Sequence, residues 1–420
     1  MTGKAAAIPW GRGSIPWELP EDVMHPCRKG SRPRKCTPGD ALASPVDSRP
    51  LGELAREASD AVVVVPDATR AWENIPLMAK AVRNELESAG TKKVTWLVGG
   101  GLHRKPTEEE MKEILGSAPL PGDWVSWSDP DRAQDIGIRT SRGTPLAIAP
   151  EAAASDLLVV IGGIVYHDVA GFSGGRKGII PGISGRASVQ NNHGLSVAGG
   201  VAGLQVNTGR LSGNATAEDM EEYGRLVEER KKVFILNVVP DHVGEPWLYV
   251  AGSLSGAWHS GVGYARTLQT LYIPRKAALA VVSSGGYPYD LDLYQATKSV
   301  NAVLGALVPG GGLVLCAHLE DGMGPGNFAR DFPLAMKDPQ ALVNQLEESF
   351  TIPGFIALKI AHDMGGHPAV LVTSRMDAPF PGLVCLSLDA GLKWISPRIP
   401  PGPTVYVPAG NCIFLKAEEQ

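Results

Sequence analysis

The sequence predicts an α/β protein of two domains, each with helices around a largely parallel or mixed sheet. Short runs rich in Val, Ile and Leu predict buried strands, and helical patterns come between several of them. A length of 420 residues is enough for more than one buried core. In sheets of this kind the active groups lie beyond the carboxyl ends of the strands.

The first half of the chain contains four such strands. They are DAVVVVPD (60–67), KKVTWLVGG (92–100), DLLVVIGG (156–163) and KKVFILNVV (231–239). The segment NIPLMAKAVRNELESAG, from Asn74, predicts a helix between the first two strands. A second helix is expected after Thr107, which can act as N-cap in a capping box with Glu110.

The pattern starts again in the second half. The strand ALAVVSSGG is followed by a helical stretch, LYQATKSVNAVLGAL, a turn, VPGGG, and the strands LVLCAH, AVLVTS and GLVCLSL. We therefore expect an N-terminal domain over residues 1–270 and a C-terminal domain over 271–405. Residues 406–420 are expected to form a tail that packs back on the N-terminal domain. The active site is expected in the cleft between the two domains.

Charge and composition exclude several classes of protein. There are 39 Lys and Arg against 44 Asp and Glu, so the net charge of −5 indicates neither a nucleic-acid surface nor a polybasic membrane anchor. Five cysteines without a CxxC pair indicate a reducing compartment. The first residues lack the apolar region of a signal peptide, and no long apolar run follows. We expect a cytoplasmic protein that acts on a small molecule.

Three glycine-bearing turns follow three of the predicted strands. Their sequences are PDATR, GGGLHRKPT and GGIVYHDVAGFSGGRKG. Since parallel strands end at one edge of a sheet, these turns are expected to form one site. The charged and imidazole side chains that they supply are Asp67, Arg70, His103, Arg104, Lys105, His167, Arg176 and Lys177.

The third turn does not match the common phosphate-binding motifs. A Walker A loop requires Ser or Thr after its lysine, whereas Lys177 is followed by Gly178. Pro181 interrupts any helix that a dinucleotide-binding turn would open. The glycines can still hold one phosphate, and Lys177 can act either as a point charge or as a covalent attachment point, with Arg176 favouring its neutral amine. His193 is a candidate metal ligand whose remaining ligands would come from a bound organic group.

The stretch HDVAGFSGGRKGIIPG (167–182), followed by NNHG, resembles the signature of the nickel-dependent lactate racemase family. PDATR, GGLHR, SGNATAEDMEE from Ser212 and YQATKSV agree with that family in order and spacing, so the resemblance covers nearly the whole chain. It implies a pyridinium-3-thioamide-5-thiocarboxylic acid mononucleotide that holds nickel through two sulfurs and a ring carbon. Lys177 would carry this cofactor covalently, His193 would be the fourth nickel ligand, and cofactor-synthesis proteins would be needed for maturation.

The same resemblance implies roles for the other site residues. His103 and His167 correspond to the paired acid/base histidines, and Arg70 to the arginine that binds the substrate carboxylate. Tyr294, Gln295 and Lys298 fall where the family closes over substrate and cofactor, and Asp67, Phe172 and Ser173 fall where it contacts the cofactor. The implied reaction is racemisation of a 2-hydroxy acid: one histidine takes the hydroxyl proton while hydride passes to the cofactor, and hydride returns to the opposite face.

The chain also departs from the family pattern. Where the family commonly reads D-D-x-T-R-P, this chain has P-D-A-T-R-A-W, with Pro66, Ala71 and Trp72 altered. Phe355 aligns with a position where relatives place Trp or His over the site, and with Trp72 it would make an apolar wall. Lactate or another short aliphatic 2-hydroxy acid is therefore favoured over malate- or gluconate-like acids, although Lys298 could serve a second carboxylate. An oxidoreductase of 2-hydroxy acids in the same fold and a non-enzymatic binding protein are the alternatives.

Overall fold

The computed structural model describes residues 5–204 and 208–418, and it describes Thr69, Ala71 and Trp72 by their backbone alone. The described residues divide into two compact units. One contains residues 31–196 and 208–268, and the other contains residues 5–30, 197–204 and 269–418.

The strands of the described residues, in chain order, are β1 (Ala5–Trp10), β2 (Gly13–Glu18), β3 (Ala61–Pro66), β4 (Val94–Gly99), β5 (Trp124–Trp127), β6 (Gln134–Arg139), β7 (Pro145–Ile148), β8 (Leu157–Gly163), β9 (Tyr166–His167), β10 (Gly171–Phe172), β11 (Lys232–Pro240), β12 (Pro246–Gly252), β13 (Thr270–Ile273), β14 (Ala277–Ser283), β15 (Leu307–Cys316), β16 (Ala369–Val372), β17 (Leu383–Cys385), β18 (Thr404–Val407) and β19 (Phe414–Ala417).

The α-helices of the same residues are α1 (Pro38–Ala43), α2 (Leu51–Arg56), α3 (Ile75–Ser88), α4 (Glu108–Leu115), α5 (Pro150–Ala154), α6 (Arg186–Gly194), α7 (Ala215–Glu228), α8 (Gly256–Gln269), α9 (Leu293–Val303), α10 (Gly326–Lys337), α11 (Pro339–Glu348), α12 (Ile352–Asp363) and α13 (Leu388–Ile395). Short 3-10 turns connect several of these elements, and two of them, Ala68–Glu73 and Gly175–Gly178, matter for the site.

A six-stranded sheet organises the unit that contains residues 31–196. Its order is β12-β11-β8-β3-β4-β5, and every neighbouring pair is parallel except β11 with β12. Strand β3 is buried on both faces: Val62 and Val64 pack into one core cluster, and Val63 and Val65 pack into the other. The four predicted strands of the first half are thus confirmed, and so is the capping box in which Thr107 accepts from the Glu110 backbone.

A five-stranded parallel sheet, of order β17-β16-β15-β14-β18, organises the other unit. The strands and the helix predicted after residue 277 appear as β14, α9, β15, β16 and β17. The predicted VPGGG turn is instead part of β15, because the pairing of β14 with β15 shifts register between Ala277 and Leu279 and thereby keeps Gly312 in the ladder. Both units are therefore α/β, as the sequence predicts.

The segments at the two ends of the described chain, residues 5–30 and 406–418, group with the unit that contains residues 269–405. Residues 5–30 group with the C-terminal half, because Ile8 and Trp17 of the β1–β2 hairpin pack in the core cluster around Val281. The expected tail likewise belongs to the C-terminal half. Strand β18 is an edge strand of the five-stranded sheet and β19 pairs with β13. The described residues change unit between residues 268 and 269, and the expected domain boundaries stay a prediction.

Among the described residues, no helix combines the length and apolar character that a membrane crossing requires. All five cysteines are free thiols.

Candidate active site

The carboxyl ends of three neighbouring strands support the three glycine-bearing turns. Strand β3 lies between β8 and β4 in the sheet, and all three run parallel. Asp67 follows β3, the turn that carries His103 follows β4, and the loop that carries His167 follows β8. The expectation that these turns meet at one edge of the sheet is confirmed, and the contacts of these three turns described below are made within this one unit.

Asp67 orients the imidazole of His103. Its Oδ2 lies 2.6 Å from Nδ1 of His103. The carboxyl is nearly buried, whereas 47% of the histidine side chain is exposed. Glycine is needed at position 100, since a Cβ there would lie 3.1 Å from the carboxylate. An ionised carboxylate can only accept, so Nδ1 carries the proton and Nε2 is left with a lone pair on the exposed side of the ring.

His167 has the opposite arrangement. Its Nδ1 faces the backbone N–H groups of Val169 and Ala170, at 3.1 and 3.2 Å, and accepts from both. A neutral ring therefore carries its proton on Nε2, which lies 2.9 Å from Nζ of Lys177. In that hydrogen bond the imidazole donates and the lysine accepts. Only a neutral amine has the lone pair to do so, and the sequence left open whether Lys177 is a point charge or a covalent attachment point.

The loop that carries Lys177 is fixed by close packing. Gly174 and Gly175 have positive φ values of +73° and +47°, and a Cβ at Gly175 would lie 2.5 Å from the ring of Trp258. The amide of Gly175 donates to Asn237 at 2.7 Å. These two glycines are thus required by neighbouring protein atoms.

Arg176 also serves this loop. Its side chain is buried, its guanidinium lies 3.8 Å from the ring centre of Trp258, and Nη2 donates to the carbonyl of Ala170 at 3.0 Å. Burial lowers the pKa of Arg176 to about 10, and the nearby Glu221 opposes the shift. Arg176 thus stacks on Trp258 and donates to a backbone carbonyl, and both contacts stabilise the loop.

His193 is a buried imidazole on α6, with 1% of its surface exposed. Burial lowers its pKa to about 3. The ring is therefore neutral at physiological pH, which is the form that binds metal ions. The described residues contain no group of three or more His, Cys, Asp and Glu side chains able to hold a metal. The predicted nickel site requires only one protein ligand. A neutral His193 and a neutral Lys177 fit the nickel-bearing pyridinium cofactor that the family resemblance implies.

The SGNATAEDMEE motif holds the helix that carries His193. Asn214 is the N-cap of α7, and Asp219, one turn further on, is fully buried. The Asp219 carboxylate accepts from Asn192 at 2.7 Å and from Thr144 at 2.7 Å. Since Asn192 precedes His193, this network fixes the orientation of α6.

Arg70, which is predicted to bind the substrate carboxylate, has an acidic neighbour that the sequence did not indicate. Arg70 lies in the 3-10 turn Ala68–Glu73 with 32% of its side chain exposed, and its Nε is 3.9 Å from Oε1 of Glu73. Glu73 is 3% exposed, and burial raises its pKa to about 8. The only signal in the sequence was the spacing of three between the two residues, which is equally common in surface ion pairs.

Phe172 and Ser173, predicted to contact the cofactor, have structural partners in the loop. Phe172 is buried against Tyr166, with ring centres 4.7 Å apart. Ser173 Oγ donates to the carbonyl of Gly163 at 2.7 Å and accepts from the amide of Val165 at 2.9 Å. Their contact with a cofactor stays a prediction.

Arg104 and Lys105, which follow His103, are exposed. Arg104 pairs with Glu110 near the start of α4. The structure thus gives Arg104 the partner expected of a solvated turn.

The residues predicted from the second half lie in the other unit. Tyr294, Gln295 and Lys298 share α9, where Lys298 donates to Gln295 at 2.6 Å and the ring of Tyr294 packs on Phe328. Phe355 is 1% exposed and packs on Phe350. The side chain of Trp72 lies outside the described part of the chain, so the apolar wall stays a prediction, as do the roles of Tyr294, Gln295 and Lys298.

Comparison with known proteins gives matches over most of the chain. A family model for the lactate racemase N-terminal domain matches residues 11–203, and one for the lactate racemase C-terminal domain matches residues 273–372. The lactate racemase of Thermoanaerobacterium thermosaccharolyticum is 30% identical over 383 residues, 87% of this chain and 87% of that protein. The lactate racemase of Lactiplantibacillus plantarum is 30% identical over 312 residues, 73% of this chain and 70% of that protein.

Two solved structures also match this chain in fold. The lactate racemase apoprotein from Thermoanaerobacterium thermosaccharolyticum matches with a TM-score of 0.85 at 26% identity, covering 98% of this chain and 100% of that one. A crystal structure of a protein from Thermotoga maritima matches with a TM-score of 0.68, covering 93% of this chain and 100% of that one. Its 18% identity supports the fold alone.

Proposed function

Because the chain belongs to the lactate racemase family, we propose that it interconverts the enantiomers of a 2-hydroxy acid, and that lactate or another short aliphatic acid is its substrate. The observation that carries the proposal is the pair of contacts at the carboxyl edge of the sheet, Asp67 with His103 and His167 with Lys177. They supply an oriented base, a second imidazole and a lysine amine within one unit.

Arg70 binds the substrate carboxylate. Its side chain is about one-third exposed and lies in the turn that follows β3, next to Asp67. Strand β3 lies between β4 and β8, the strands that precede His103 and His167. A planar guanidinium can hold a carboxylate through two parallel hydrogen bonds. The reacting carbon is then restrained while its remaining substituents stay free to turn.

His103 takes the hydroxyl proton of one enantiomer. Asp67 keeps the proton of His103 on Nδ1, so that Nε2 is the basic atom, and it stabilises the imidazolium that forms. His167 serves the other enantiomer from its own Nε2. For this its ring must carry the proton on Nδ1, which requires that Nδ1 give up its contacts with the backbone amides of Val169 and Ala170. A base on either side of the carbon is what inversion requires.

The cofactor of this reaction is the nickel-bearing pyridinium-3-thioamide-5-thiocarboxylic acid mononucleotide that the family resemblance implies. When bound, it supplies a reversible hydride acceptor, which avoids a carbanion beside an ionised carboxylate. Lys177 holds it covalently through Nζ, and a neutral amine is the form that can bond to an acyl-type carbon. His193, neutral because it is buried, is the protein ligand of the nickel. Maturation depends on cofactor-synthesis proteins.

The experiment is a comparison of chain produced with and without the cofactor-synthesis proteins and nickel. Incubation with enantiopure L- or D-lactate should cause loss of optical activity only in the cofactor-loaded sample. His103→Ala and His167→Ala should each nearly abolish racemisation while the covalent mass increment is retained. A loaded sample that leaves lactate and a panel of short 2-hydroxy acids optically unchanged would refute the proposal. Release of a 2-oxo acid would favour the alternative, an oxidoreductase.

A further inference from the structure

Asn214 contacts the turn that carries His167, and the mechanism above does not use it. Asn214 is 2% exposed, and as the N-cap of α7 its Oδ1 accepts from the amide of Ala217 at 3.2 Å. Its Nδ2 donates to the backbone carbonyls of Val169 at 2.9 Å and Arg210 at 3.1 Å. This placement of oxygen and nitrogen gives the amide an acceptor and both carbonyls a donor, whereas the flipped side chain would satisfy none of them.

The peptide between Val169 and Ala170 lies between Asn214 and His167. Its carbonyl accepts from Asn214, and its N–H, which belongs to Ala170, lies 3.2 Å from Nδ1 of His167. This peptide is not among the cis bonds of the described chain, and the C=O and N–H of a trans peptide point in opposite directions. A group that holds the carbonyl therefore also aims the N–H.

We propose that Asn214 is a positioning residue that keeps neutral His167 in the tautomer with its proton on Nε2. It does so by holding the Val169–Ala170 peptide with the N–H toward Nδ1, so that Nδ1 has to accept. The inference rests on the proposed function only in taking His167 as an acid/base group. The tautomer itself depends on hydrogen bonds within one unit.

Other contacts hold the two ends of this turn. Thr208 Oγ1 donates to the carboxylate of Asp168 at 2.8 Å, and the amide of Gly209 donates to the carbonyl of Gly171 at 3.0 Å. Both contacts lie outside the Val169–Ala170 peptide. A change at Asn214 is therefore expected to release this peptide while the rest of the turn stays in place.

The tautomer decides what His167 offers at Nε2. As described, the ring presents an N–H there to Nζ of Lys177, 2.9 Å away. If the peptide turned over, its carbonyl would face Nδ1, the ring proton would move to Nδ1, and Nε2 would gain the lone pair that a base needs. Asn214 opposes this change because its hydrogen bond to the Val169 carbonyl would be lost.

The test is the ring tautomer of His167, measured by NMR on chain without cofactor that carries 15N-labelled histidine. A ring nitrogen that bears hydrogen and one that does not have well-separated 15N shifts, and His167→Gln identifies the signals. Spectra are recorded at about pH 8.5, where an ordinary imidazole is neutral.

Two variants remove the amide donor and keep an N-cap oxygen. Asn214→Asp has the same shape, but its ionised carboxylate can only accept, so it repels the Val169 carbonyl. Asn214→Ser retains a hydroxyl that can cap α7 and lacks the amide NH₂ group. Thr37→Ala is the matched control, because it removes the N-cap of α1 in the same unit and does not touch this turn.

We expect the Nε2–H form of His167 to predominate in the wild type and in Thr37→Ala. In Asn214→Asp the ratio of the Nδ1–H to the Nε2–H form should rise about tenfold or more, and in Asn214→Ser it should rise less. A wild type with its proton on Nδ1, or an unchanged ratio in both folded Asn214 variants, would overturn the inference. An equal rise in Thr37→Ala would trace the effect to general loss of stability and would overturn it too.

These outcomes are separate from the fate of the proposed function. The spectra need neither cofactor nor substrate, so a cofactor-loaded wild type that racemises no 2-hydroxy acid would refute the proposed function and leave the tautomer result standing. In the opposite case, racemisation of lactate by a chain whose tautomer ignores Asn214 would remove only the role of Asn214.

Discussion

His103 and His167 carry their ring protons on opposite nitrogens, Nδ1 in His103 and Nε2 in His167. The difference follows from what faces each Nδ1, a carboxylate oxygen in one case and two backbone N–H groups in the other. The two imidazoles are thus unequal before any substrate binds: His103 offers a lone pair at Nε2, and His167 offers a proton there.

Replacing Asp67 by Asn should impair catalysis more than folding. The amide can present its NH₂ group to Nδ1 of His103, which would move the ring proton to Nε2 and remove the base. We expect kcat/KM for lactate to fall by about 10² to 10⁴, with a smaller change in melting temperature. Asp60→Asn, a change at another acid of the same unit, is the control. Unchanged kcat/KM for Asp67→Asn would show that His103 does not depend on this carboxylate.

Lys177→Ala should abolish the covalent adduct. Intact-mass analysis of chain produced with the cofactor-synthesis proteins should show a mass increment in the wild type and none in the variant. Lys105→Ala, which removes an exposed lysine in the turn after β4, should keep the increment. Racemisation at the wild-type rate by Lys177→Ala would contradict attachment at this residue.

His193→Ala should separate the organic part of the cofactor from its metal. The neutral buried imidazole is the proposed protein ligand, so the variant is expected to retain the mass increment on Lys177 while nickel, measured by elemental analysis, falls well below one atom per chain. His362→Ala, a change in the other unit, should leave nickel content unchanged. Full nickel in the His193 variant would remove this residue from the coordination sphere.

Glu73→Gln should alter the pH dependence of stability. The folded chain keeps a proton on Glu73 up to about pH 8, whereas the unfolded chain releases it near the ordinary value of 4.5. Because the raised pKa belongs to the folded state, its stabilising contribution is fully present below about pH 4.5 and is lost as the pH rises to about 8. This loss is on the order of 3 to 4 kcal/mol, and Glu73→Gln should not show it.

The measurement is urea unfolding of both proteins at about pH 5 and about pH 8.5. The free energy of unfolding should fall more steeply for the wild type, and the variant should be the more stable protein at the higher pH. Equal slopes would indicate that Glu73 is solvated or paired in solution.

Gly175→Ala should destabilise the loop that holds Lys177. A Cβ at this position would lie 2.5 Å from the Trp258 ring, and the φ of +47° is unfavourable for alanine. We expect a loss of about 2 to 4 kcal/mol in the free energy of unfolding. Gly263→Ala, on α8 of the same unit, meets nothing within 4 Å and should be neutral or stabilising. Similar stabilities for the two variants would show that the loop can shift away from Trp258.

The sequence predicted the parts of the site that depend on strand ends. Strand β3 reads as a continuous apolar run, so Asp67 and Arg70 could be placed at its carboxyl end, and the same reasoning placed His103 and His167. The tautomers of the histidines could not be predicted, because they depend on backbone amides and a carboxylate that come into contact only in the folded chain. Glu73 was missed for the same reason, since its burial against Gly162 depends on the packing of a turn from β3 over the end of β8.

Local sequence patterns also could not predict which of the two units the terminal segments of the chain join. The segment before residue 31 contains two short strands that favour no particular partner, and its assignment depends on where Ile8 and Trp17 are buried. The partner of the final strand, β19, could not be predicted either, because its parallel pairing with β13 joins residues that are far apart in sequence.

The parallel pairing of β3 with both β4 and β8 has a consequence for how the chain acquires its site. The β3–β4 ladder can form once residue 99 has been synthesised, but β3 gains its second neighbour only when the chain has extended to β8, beyond residue 157. Contacts of such large sequence separation slow folding, since loop-closure entropy must be overcome before they form. Asp67 and His103 are therefore translated before the strand that leads to Lys177, and the central strand is enclosed on both sides only when β8 has formed.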